Sequence, residues 1–208
     1  EYRDALDRLA RQGLLYPCFC TRADIKAEVA RADAAPHGPE GPLYPGTCRM
    51  LAPQDREARM AAGAPFALRL DAARAVALAG PQSWHDEIAG TIAADPSSHG
   101  DVVLARKDTP TSYHLAVTVD DALQGVTLVT RGDDLFAATH VHRLLQALLG
   151  LPTPRYCHHP LITDASGRRF AKRDRAMTLR LLRESGRSPA ETRAMAGFAE
   201  GSGPAVSR

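Results

Sequence analysis

The sequence predicts an α/β protein, and patterns in two stretches of the chain carry that prediction. Within Ser112–Asp134, apolar and polar residues alternate in Tyr113–Val119 and again in Val126–Arg131, which is the period of β-strands. Ala138–Leu149 instead carries an apolar stripe at helical spacing, and the glycine that follows it is typical of a helix end. Both predicted strands are too apolar to be solvated on two faces, so we expect them in the interior of a sheet.

The bulk properties are those of a globular protein. The 208 residues are 44% hydrophobic and 24% charged, which allows one large domain or one domain with a small insert. No apolar run approaches the roughly 20 residues of a membrane helix and no signal peptide is evident, so we expect a cytoplasmic protein with no membrane partner. A net charge of +2 does not by itself indicate nucleic acid, and 5% aromatic residues disfavour a stacking platform for single strands.

The remaining elements follow from caps, turn residues and periodicity. A first helix is predicted over Glu1–Gln12, and because the chain opens without methionine in helical sequence, we expect a preceding N-terminal portion. The other predicted elements are a helix from a Thr21–Asp24 capping box to about Arg31, a loop over Ala35–Gly46, a helix over Pro53–Ala62, strands over Pro65–Leu70, Ala75–Ala79, Glu87–Ala93 and Asp101–Arg106, a strand-like Arg155–Ile162, a helix from Asp174 to near Gly186, and another that begins at Ser188–Glu191.

Three of the four cysteines are spaced so that they can share one metal ion. Cys18 and Cys20 precede a predicted helix and Cys48 follows the loop after it, which suits a tetrahedral zinc site with one further donor. From spacing alone, the fourth ligand is His37, Tyr44 or water. The alternative is three ordinary, partly buried thiols, because Cys-x-Cys is a weaker signal than paired Cys-x-x-Cys motifs.

Two further groups of residues are candidates for binding. Tyr113 enters the first predicted strand and Arg131 leaves the second, and α/β proteins place binding chemistry at strand ends. The alternative is a tyrosine at a sheet rim and a surface arginine. A basic loop follows the strand-like segment and suits polyphosphate, although such runs are more often solvated. Its basic residues are Arg168, Arg169, Lys172, Arg173 and Arg175.

Together these motifs resemble class I aminoacyl-tRNA synthetases of the glutamyl type, over Leu14 to about Gly186. The resemblance is strongest to the glutamyl-Q tRNA(Asp) branch, a family of shorter relatives of glutamyl-tRNA synthetase. Each motif is weak by itself, whereas their order and spacing make the set specific. The motifs are Tyr16-Pro-Cys-Phe-Cys20 with Tyr44-Pro-Gly-Thr-Cys48, Tyr113-His-Leu-Ala-Val117, Thr130-Arg-Gly-Asp-Asp134, Gly150-Leu-Pro-Thr-Pro-Arg-Tyr-x-His-x-Pro-Leu161 and, in place of Lys-Met-Ser-Lys-Ser, Arg169-Phe-Ala-Lys-Arg173.

The resemblance implies a fold: the C-terminal part of a Rossmann-type class I catalytic domain with a zinc-containing insert and C-terminal helices. It implies a catalytic-domain helix in 1–15, a zinc-binding mixed α/β insert in 16–100, the second half of the nucleotide-binding domain with its signature loop in 101–186, and a terminal helix and tail in 187–208. The family's His-Ile-Gly-His half is not in this sequence, so we expect no glutamate adenylation by this chain alone.

The resemblance also implies roles for single residues. Tyr113 and Arg131 would bind glutamate, and Lys172 would act on the ATP phosphates as the second signature lysine. Arg169 would keep the charge of the first lysine, which this sequence lacks, so we expect a weakened rather than an abolished loop. One structural Zn²⁺ would be held by Cys18, Cys20, Tyr44 and Cys48.

The implied activity is ATP-dependent activation of glutamate and its transfer to the queuosine base of tRNA(Asp). The implied partners are L-glutamate, ATP with Mg²⁺, and tRNA(Asp) carrying queuosine, and the protein is expected to be a monomer. Two alternatives remain open at this point. One is a fragment of a glutamyl-tRNA synthetase that charges tRNA(Glu), and the other is a non-catalytic fragment that binds zinc and RNA.

Overall fold

Two units divide the chain in the computed structural model, Glu1–His159 and Pro160–Arg208, and each is described by itself. The structure describes residues 1–31, 37–39, 41–106, 110–163 and 178–198. Within these ranges no helix is long and apolar enough to cross a membrane.

Helices and strands alternate in the first unit, which confirms the α/β prediction. Its helices are α1 (Tyr2–Arg11), α2 (Arg22–Arg31), α3 (Pro53–Ala61), α4 (Ala72–Ala79), α5 (Tyr113–Leu123) and α6 (Ala138–Leu149). Its strands are β1 (Leu15–Cys18), β2 (His37–Gly38), β3 (Gly41–Pro42), β4 (Ala67–Leu70), β5 (Ser83–Asp86), β6 (Gly90–Ala93), β7 (Val103–Arg106), β8 (Leu128–Gly132) and β9 (Arg155–His159). Single helical turns lie at Thr47–Met50, Pro96–His99 and Asp133–Leu135.

The described strands form three sheets of different size. One is antiparallel with the order β1-β4-β7, and one is the small pair β2-β3. The largest has the order β6-β5-β9-β8, in which β5, β9 and β8 are parallel and β6 pairs antiparallel with β5. Adjacent parallel strands place their carboxyl ends at one edge of a sheet, which is where α/β proteins bind ligands.

The main core lies among α1, α5, α6 and the neighbouring strands. Leu9, Leu104, Leu115, Leu145 and Leu149 are each 0–1% exposed and belong to one apolar cluster. Burying a leucine side chain contributes about 1.5–3 kcal/mol, so this cluster is the chief attraction between these helices and strands.

Two predicted strands are wrong, and both are helices. Tyr113–Val119 lies in α5, where Leu115 and Val119 share the buried face four residues apart and the Ser112 hydroxyl accepts the Leu115 N–H at 3.4 Å. Asp120 and Asp121, which the sequence predicts as an acidic turn between the two strands, lie in the last turns of the same helix. Ala75–Ala79 lies in α4, because the Asp71 side chain caps a run rich in alanine, the residue with the highest helix propensity.

The other predictions fare better. Of the predicted Val126–Arg131 strand, Leu128–Arg131 lies in β8, but β8 is at the edge of its sheet within the described residues rather than in the interior. Glu87–Ala93 is a strand only from Gly90, and Asp101–Arg106 and Arg155–Ile162 are strands only over β7 and β9. The predicted helices at the start of the chain, after Thr21, from Pro53 and over Ala138–Leu149 are confirmed. Gly150 ends α6 with φ 59°, a left-handed conformation that glycine adopts without strain.

The second unit contains α7 (Leu179–Glu184) and α8 (Pro189–Met195). Thr178 caps α7, while Asp174, the predicted cap, lies outside the described residues. The capping box predicted for Ser188 and Glu191 is confirmed, since each side chain accepts the backbone N–H of the other residue.

Candidate substrate and metal sites

Three polar side chains meet where three parallel strands end. Asp86 is the last residue of β5, and His158 and Arg131 each stand one residue before the ends of β9 and β8. Arg131 and His158 are register partners in neighbouring strands. The sheet therefore brings a carboxylate, an imidazole and a guanidinium together at its carboxyl edge.

Arg131 donates through every N–H of its guanidinium. The contacts are Nε to His158 Nε2 at 3.0 Å, Nη1 to His142 Nδ1 at 3.2 Å and to the Tyr113 hydroxyl at 3.4 Å, and Nη2 to the Thr139 hydroxyl at 2.6 Å and the Leu135 carbonyl at 3.2 Å. The Tyr113 contact is the longest of these and the weakest in geometry. The Nη1 edge beside Tyr113 is therefore the edge that a ligand can engage at least cost.

His158 is held between Arg131 and a buried carboxylate. Its Nδ1 lies 2.7 Å from Asp86 Oδ2, and both side chains are 1% exposed. Because Arg131 can only donate, His158 Nε2 must accept, and the ring proton stands on Nδ1 and is donated to Asp86. Burial lowers the pKa of His158 although Asp86 acts to raise it, so the ring is neutral near pH 7.

His142 lies on the other side of the guanidinium. Burial, and then the charge of Arg131, hold the pKa of His142 well below 6.5, so this ring is neutral as well. Its Nδ1 accepts from Arg131, and its Nε2 is 3.2 Å from His114 Nδ1. Two neutral imidazoles therefore serve as acceptors for one guanidinium without adding charge of their own.

Tyr113 brings a phenol to this edge from a helix and not from a strand. It is the first residue of α5 and is 49% exposed, and its ring packs edge-on against His142 with centroids 5.7 Å apart. A cavity of about 500 Å³, a size typical of small-molecule sites, is lined by Tyr113 and His114 and also by Tyr44. The predicted pair Tyr113 and Arg131 is thus adjacent, and Tyr113 faces open space.

The predicted cysteines form the second site. The thiol sulfurs of Cys18, Cys20 and Cys48 lie within 4.8 Å of one another, and we call these three residues the cysteine cluster. Cys18 ends β1, Cys20 follows it, and Cys48 is in the helical turn Thr47–Met50. Cys20 Sγ is 3.4 Å from Cys48 Sγ and 3.6 Å from the Tyr44 hydroxyl, whose oxygen accepts the Cys48 N–H at 2.8 Å.

This donor set fits a tetrahedral cation. Ligands at zinc distances of about 2.3 Å for sulfur and 2.0 Å for oxygen stand roughly 3.5–3.8 Å apart in a tetrahedron, close to the separations observed. Burial acts to raise the pKa of Cys48, but hydrogen bonds from Tyr44 and from the Phe19 N–H together lower it. Burial raises the pKa of Cys20 to about 12 and that of Tyr44 above its usual value, effects that a bound cation would oppose.

A buried carboxylate holds the two halves of the cysteine cluster together. Asp101 is 4% exposed and accepts hydrogen bonds from the Tyr16 hydroxyl at 2.5 Å, from Arg49 Nη1 at 2.8 Å and from the Ala72 N–H at 2.9 Å. Tyr16 stands two residues before Cys18, and Arg49 directly follows Cys48. Asp101 thus ties both chain segments that carry cysteines to the start of α4.

Two predicted residues and one alternative ligand cannot be placed. Lys172 and Arg169 lie outside the described residues, as does the side chain of His37. Sequence reasoning missed the roles of Asp86, His158 and Asp101. His158 stands in a motif quoted for the resemblance, which is a usable signal, whereas nothing local in the sequence points to Asp86 or Asp101.

Comparison with known proteins identifies the family of this chain. Residues 1–198 match the family described as tRNA synthetases class I (E and Q), catalytic domain. The chain belongs to this family. Its curated relatives include proteins named Glutamyl-Q tRNA(Asp) synthetase from Rhodobacter capsulatus, Symbiobacterium thermophilum and Nocardia farcinica, which are 48%, 47% and 46% identical over 95%, 90% and 94% of the chain. The family is one of synthetases, so the prediction of a ligase is confirmed at this level.

Solved structures show the same fold. A glutamate-tRNA synthetase from Elizabethkingia anophelis is 26% identical with a TM-score of 0.63, over 84% of this chain and 36% of that one. A glutamate tRNA ligase from Elizabethkingia meningosepticum, solved in complex with its amino acid, has a TM-score of 0.64 at 23% identity, over 83% of this chain and 35% of that one. The chain spans 72%, 56% and 58% of the three curated relatives, so it corresponds to part of a longer catalytic protein in each comparison.

Proposed function

We propose that this chain is part of an enzyme that activates glutamate with ATP and transfers it to the queuosine base of tRNA(Asp). The observation that carries the proposal is the guanidinium of Arg131, fixed at the carboxyl edge of a parallel sheet with its Nη1 edge beside the exposed Tyr113. Arginine presents a rigid fork of donors that matches a carboxylate. The names of the relatives supply the amino acid and the RNA, since they are called Glutamyl-Q tRNA(Asp) synthetases.

In this proposal Arg131 and Tyr113 bind the amino acid. The charge of Arg131 pairs with a carboxylate of glutamate, and the Tyr113 hydroxyl, half exposed and 3.4 Å from Nη1, donates to the same ligand. The neutral rings of His142 and His158 leave the positive charge of Arg131 unshared. The adjoining cavity of about 500 Å³ provides room for the rest of the substrate.

ATP would be handled by the basic loop. We propose that Lys172, together with Arg169 of the same sequence motif, stabilises charge on the ATP phosphates while the glutamate carboxylate attacks the α-phosphate and pyrophosphate leaves, with Mg²⁺ as counter-ion. The products are glutamyl adenylate and pyrophosphate, and the queuosine of tRNA(Asp) then displaces AMP.

The proposal also includes the segment layout given above, with an insert in 16–100 and the signature loop in 101–186. A monomeric state and a cytoplasmic location belong to the same hypothesis.

The metal in this proposal is one structural Zn²⁺. Cys18, Cys20 and Cys48 would hold it, with Tyr44 as the fourth ligand, because its hydroxyl stands 3.6 Å from Cys20 Sγ, at ligand spacing. When bound, such an ion supplies a cross-link between chain segments and no chemistry in the reaction. Tyr44 also lines the cavity next to Tyr113, so the cluster braces one wall of the proposed substrate site.

The proposal is tested by glutamate-dependent exchange of pyrophosphate into ATP, on this chain and on any longer product of the same gene. Exchange that depends on glutamate and not on aspartate supports activation. The proposed acceptor, queuosine, is supported if labelled glutamate is transferred to tRNA(Asp) that carries queuosine but to neither unmodified tRNA(Asp) nor tRNA(Glu). Charging of tRNA(Glu) instead would favour a glutamyl-tRNA synthetase. Absence of exchange in both this chain and the longer product, with both folded and loaded with zinc, would favour a zinc- and RNA-binding role.

A further inference from the structure

We propose that Asp86 and His158 are positioning residues for Arg131, which hold its guanidinium so that the Nη1 edge faces the carboxylate of a bound amino acid. This inference rests on the proposed function for the identity of the ligand. The hydrogen-bonded chain runs from Asp86 through the His158 ring to Arg131 Nε, with distances of 2.7 and 3.0 Å.

The donor-to-acceptor direction of these hydrogen bonds is fixed at their buried end, which is Asp86. Asp86 Oδ1 accepts the N–H groups of Ile88 and Ala89 at 2.9 and 3.0 Å, so the turn after β5 sets the position of the carboxylate. Asp86 Oδ2 then accepts from the His158 backbone N–H as well as from the ring. Since a carboxylate has no proton to give, His158 must donate through Nδ1 and accept through Nε2. The ring therefore presents its acceptor nitrogen, Nε2, to Arg131.

Arg131 is clamped on the side away from Tyr113. Nε is bound by His158, and Nη2 donates to the Thr139 hydroxyl and the Leu135 carbonyl. Fixing two of the three nitrogens of a planar group fixes its plane, so the direction of Nη1 follows from the other two. Nη1 points toward Tyr113, the one of these partners that is 49% exposed.

Aromatic rings shield the His158 ring, which links Asp86 to Arg131, from water. Tyr156 stacks on His158 with centroids 5.9 Å apart and planes 10° apart, while Phe136 and Trp84 approach edge-on at 5.0 and 5.7 Å. Hydrogen bonds in such surroundings are stronger than in water, and water is not at hand to replace a lost partner. The orientation of Arg131 is therefore sensitive to the hydrogen-bonding pattern of His158 and not only to its size.

Two substitutions of His158 separate positioning from packing. In His158→Gln the amide oxygen reaches the place of Nε2, so it accepts from Arg131, although the donor to Asp86 is lost. In His158→Asn the amide lies at the level of Nδ1, so it donates to Asp86 and leaves Arg131 Nε without its acceptor. His85→Asn is the matched control, because His85 is an exposed histidine of β5 next to Asp86.

The first measurement is the KM for glutamate and for ATP in pyrophosphate exchange, on the longest active product of the gene. We expect His158→Asn to raise the KM for glutamate about tenfold or more, His158→Gln less than about threefold, and His85→Asn not at all. The KM for ATP should stay within about twofold in all three. Equal effects of Asn and Gln, or a loss of thermal stability with an unchanged KM for glutamate, would overturn the inference.

A second measurement does not need substrate. NMR of the histidine ring nitrogens should show His158 protonated at Nδ1 near pH 7, and the Arg131 Nε proton should exchange slowly in the wild type and His158→Gln but quickly in His158→Asn. A ring protonated at Nε2, or at both nitrogens, overturns the positioning role. If the wild type shows this NMR pattern but the longest product of the gene shows no glutamate-dependent exchange of pyrophosphate into ATP, the proposed function fails while the orientation of Arg131 stands.

Discussion

The Arg131 site and the cysteine cluster differ in how their charges are balanced. Around Arg131 the protein supplies its own partners: neutral acceptors from His142 and His158, and the buried charge of Asp86 one ring away. The cysteine cluster gathers three thiols next to the phenol of Tyr44, and these four groups repel one another once they lose protons. The N–H groups of Arg131 all have acceptors without a ligand, whereas the cysteine cluster would reach charge balance only with a cation. The two sites should therefore respond differently to loss of a single side chain.

The largest effect is expected at the cysteine cluster. Cys48→Ser replaces a thiolate donor by a poor one, and structural zinc sites bind with about 10–16 kcal/mol of apparent free energy that depends on the full ligand set. We expect the purified variant to carry less than about a tenth of the zinc of the wild type by elemental analysis. Cys157→Ser, which alters a cysteine of β9 outside the cluster, should keep its zinc. Full zinc content in Cys48→Ser would show that the cysteine cluster is not the metal site.

The next effect is expected at Arg131. Arg131→Lys keeps a positive charge but cannot bind His158, Thr139 and a carboxylate at the same time, because an ammonium lacks the planar fork. We expect kcat/KM for glutamate in pyrophosphate exchange to fall roughly 100-fold, as for the loss of one or two hydrogen bonds to charged groups. Arg155→Lys, at an exposed ion pair with Glu87, is the control and should change little. If kcat/KM for glutamate falls by less than about threefold in Arg131→Lys, the glutamate carboxylate does not bind at Arg131.

These contrasts also show how far the sequence could be read. The cysteine cluster follows from spacing, because α2 and the short pair β2-β3 lie between Cys20 and the turn that carries Cys48 and confine where Cys48 can return. Tyr113 and Arg131 are in contact, and their role in binding glutamate stays a prediction. The strand predicted for Tyr113 is a helix, because the spacing of Leu115 and Val119 fits both periods and only burial of one face decides. Asp86 could not be predicted, since its partner His158 is 72 residues away and the contact exists only in the folded sheet.

A smaller effect is expected from pH. The pKa of His142 and of His158 is lowered in the fold, so below about pH 6.5 the unfolded chain binds more protons and the free energy of unfolding falls. A ring that stays neutral in the fold, as we expect for His142, contributes a loss of about 1 kcal/mol between pH 6.5 and 5.5, measured by urea unfolding. His142→Gln should therefore show a smaller dependence on pH than the wild type. The same dependence in His142→Gln as in the wild type would show that this ring is not held neutral.

The smallest effect is expected from Tyr113→Phe. This change removes one hydroxyl from a residue that is 49% exposed and whose contact with Arg131 is 3.4 Å long. We expect the KM for glutamate to rise about three- to tenfold, the range for one hydrogen bond, with an unchanged thermal midpoint. An unchanged KM would indicate that the ligand does not engage the Nη1 edge, and a lower thermal midpoint would assign the hydroxyl a structural role.

The carboxylate of Asp101 has a consequence for how the metal arrives. Because it anchors Tyr16 next to the first pair of cysteines and Arg49 next to the third, the ligands stay close together through bonds that do not involve the ion. If the cluster binds zinc as proposed, a chain made when zinc is scarce would fold first and capture the ion later. The speed of capture would then depend on the supply of zinc and on the release of thiol protons, and not on refolding of the polypeptide.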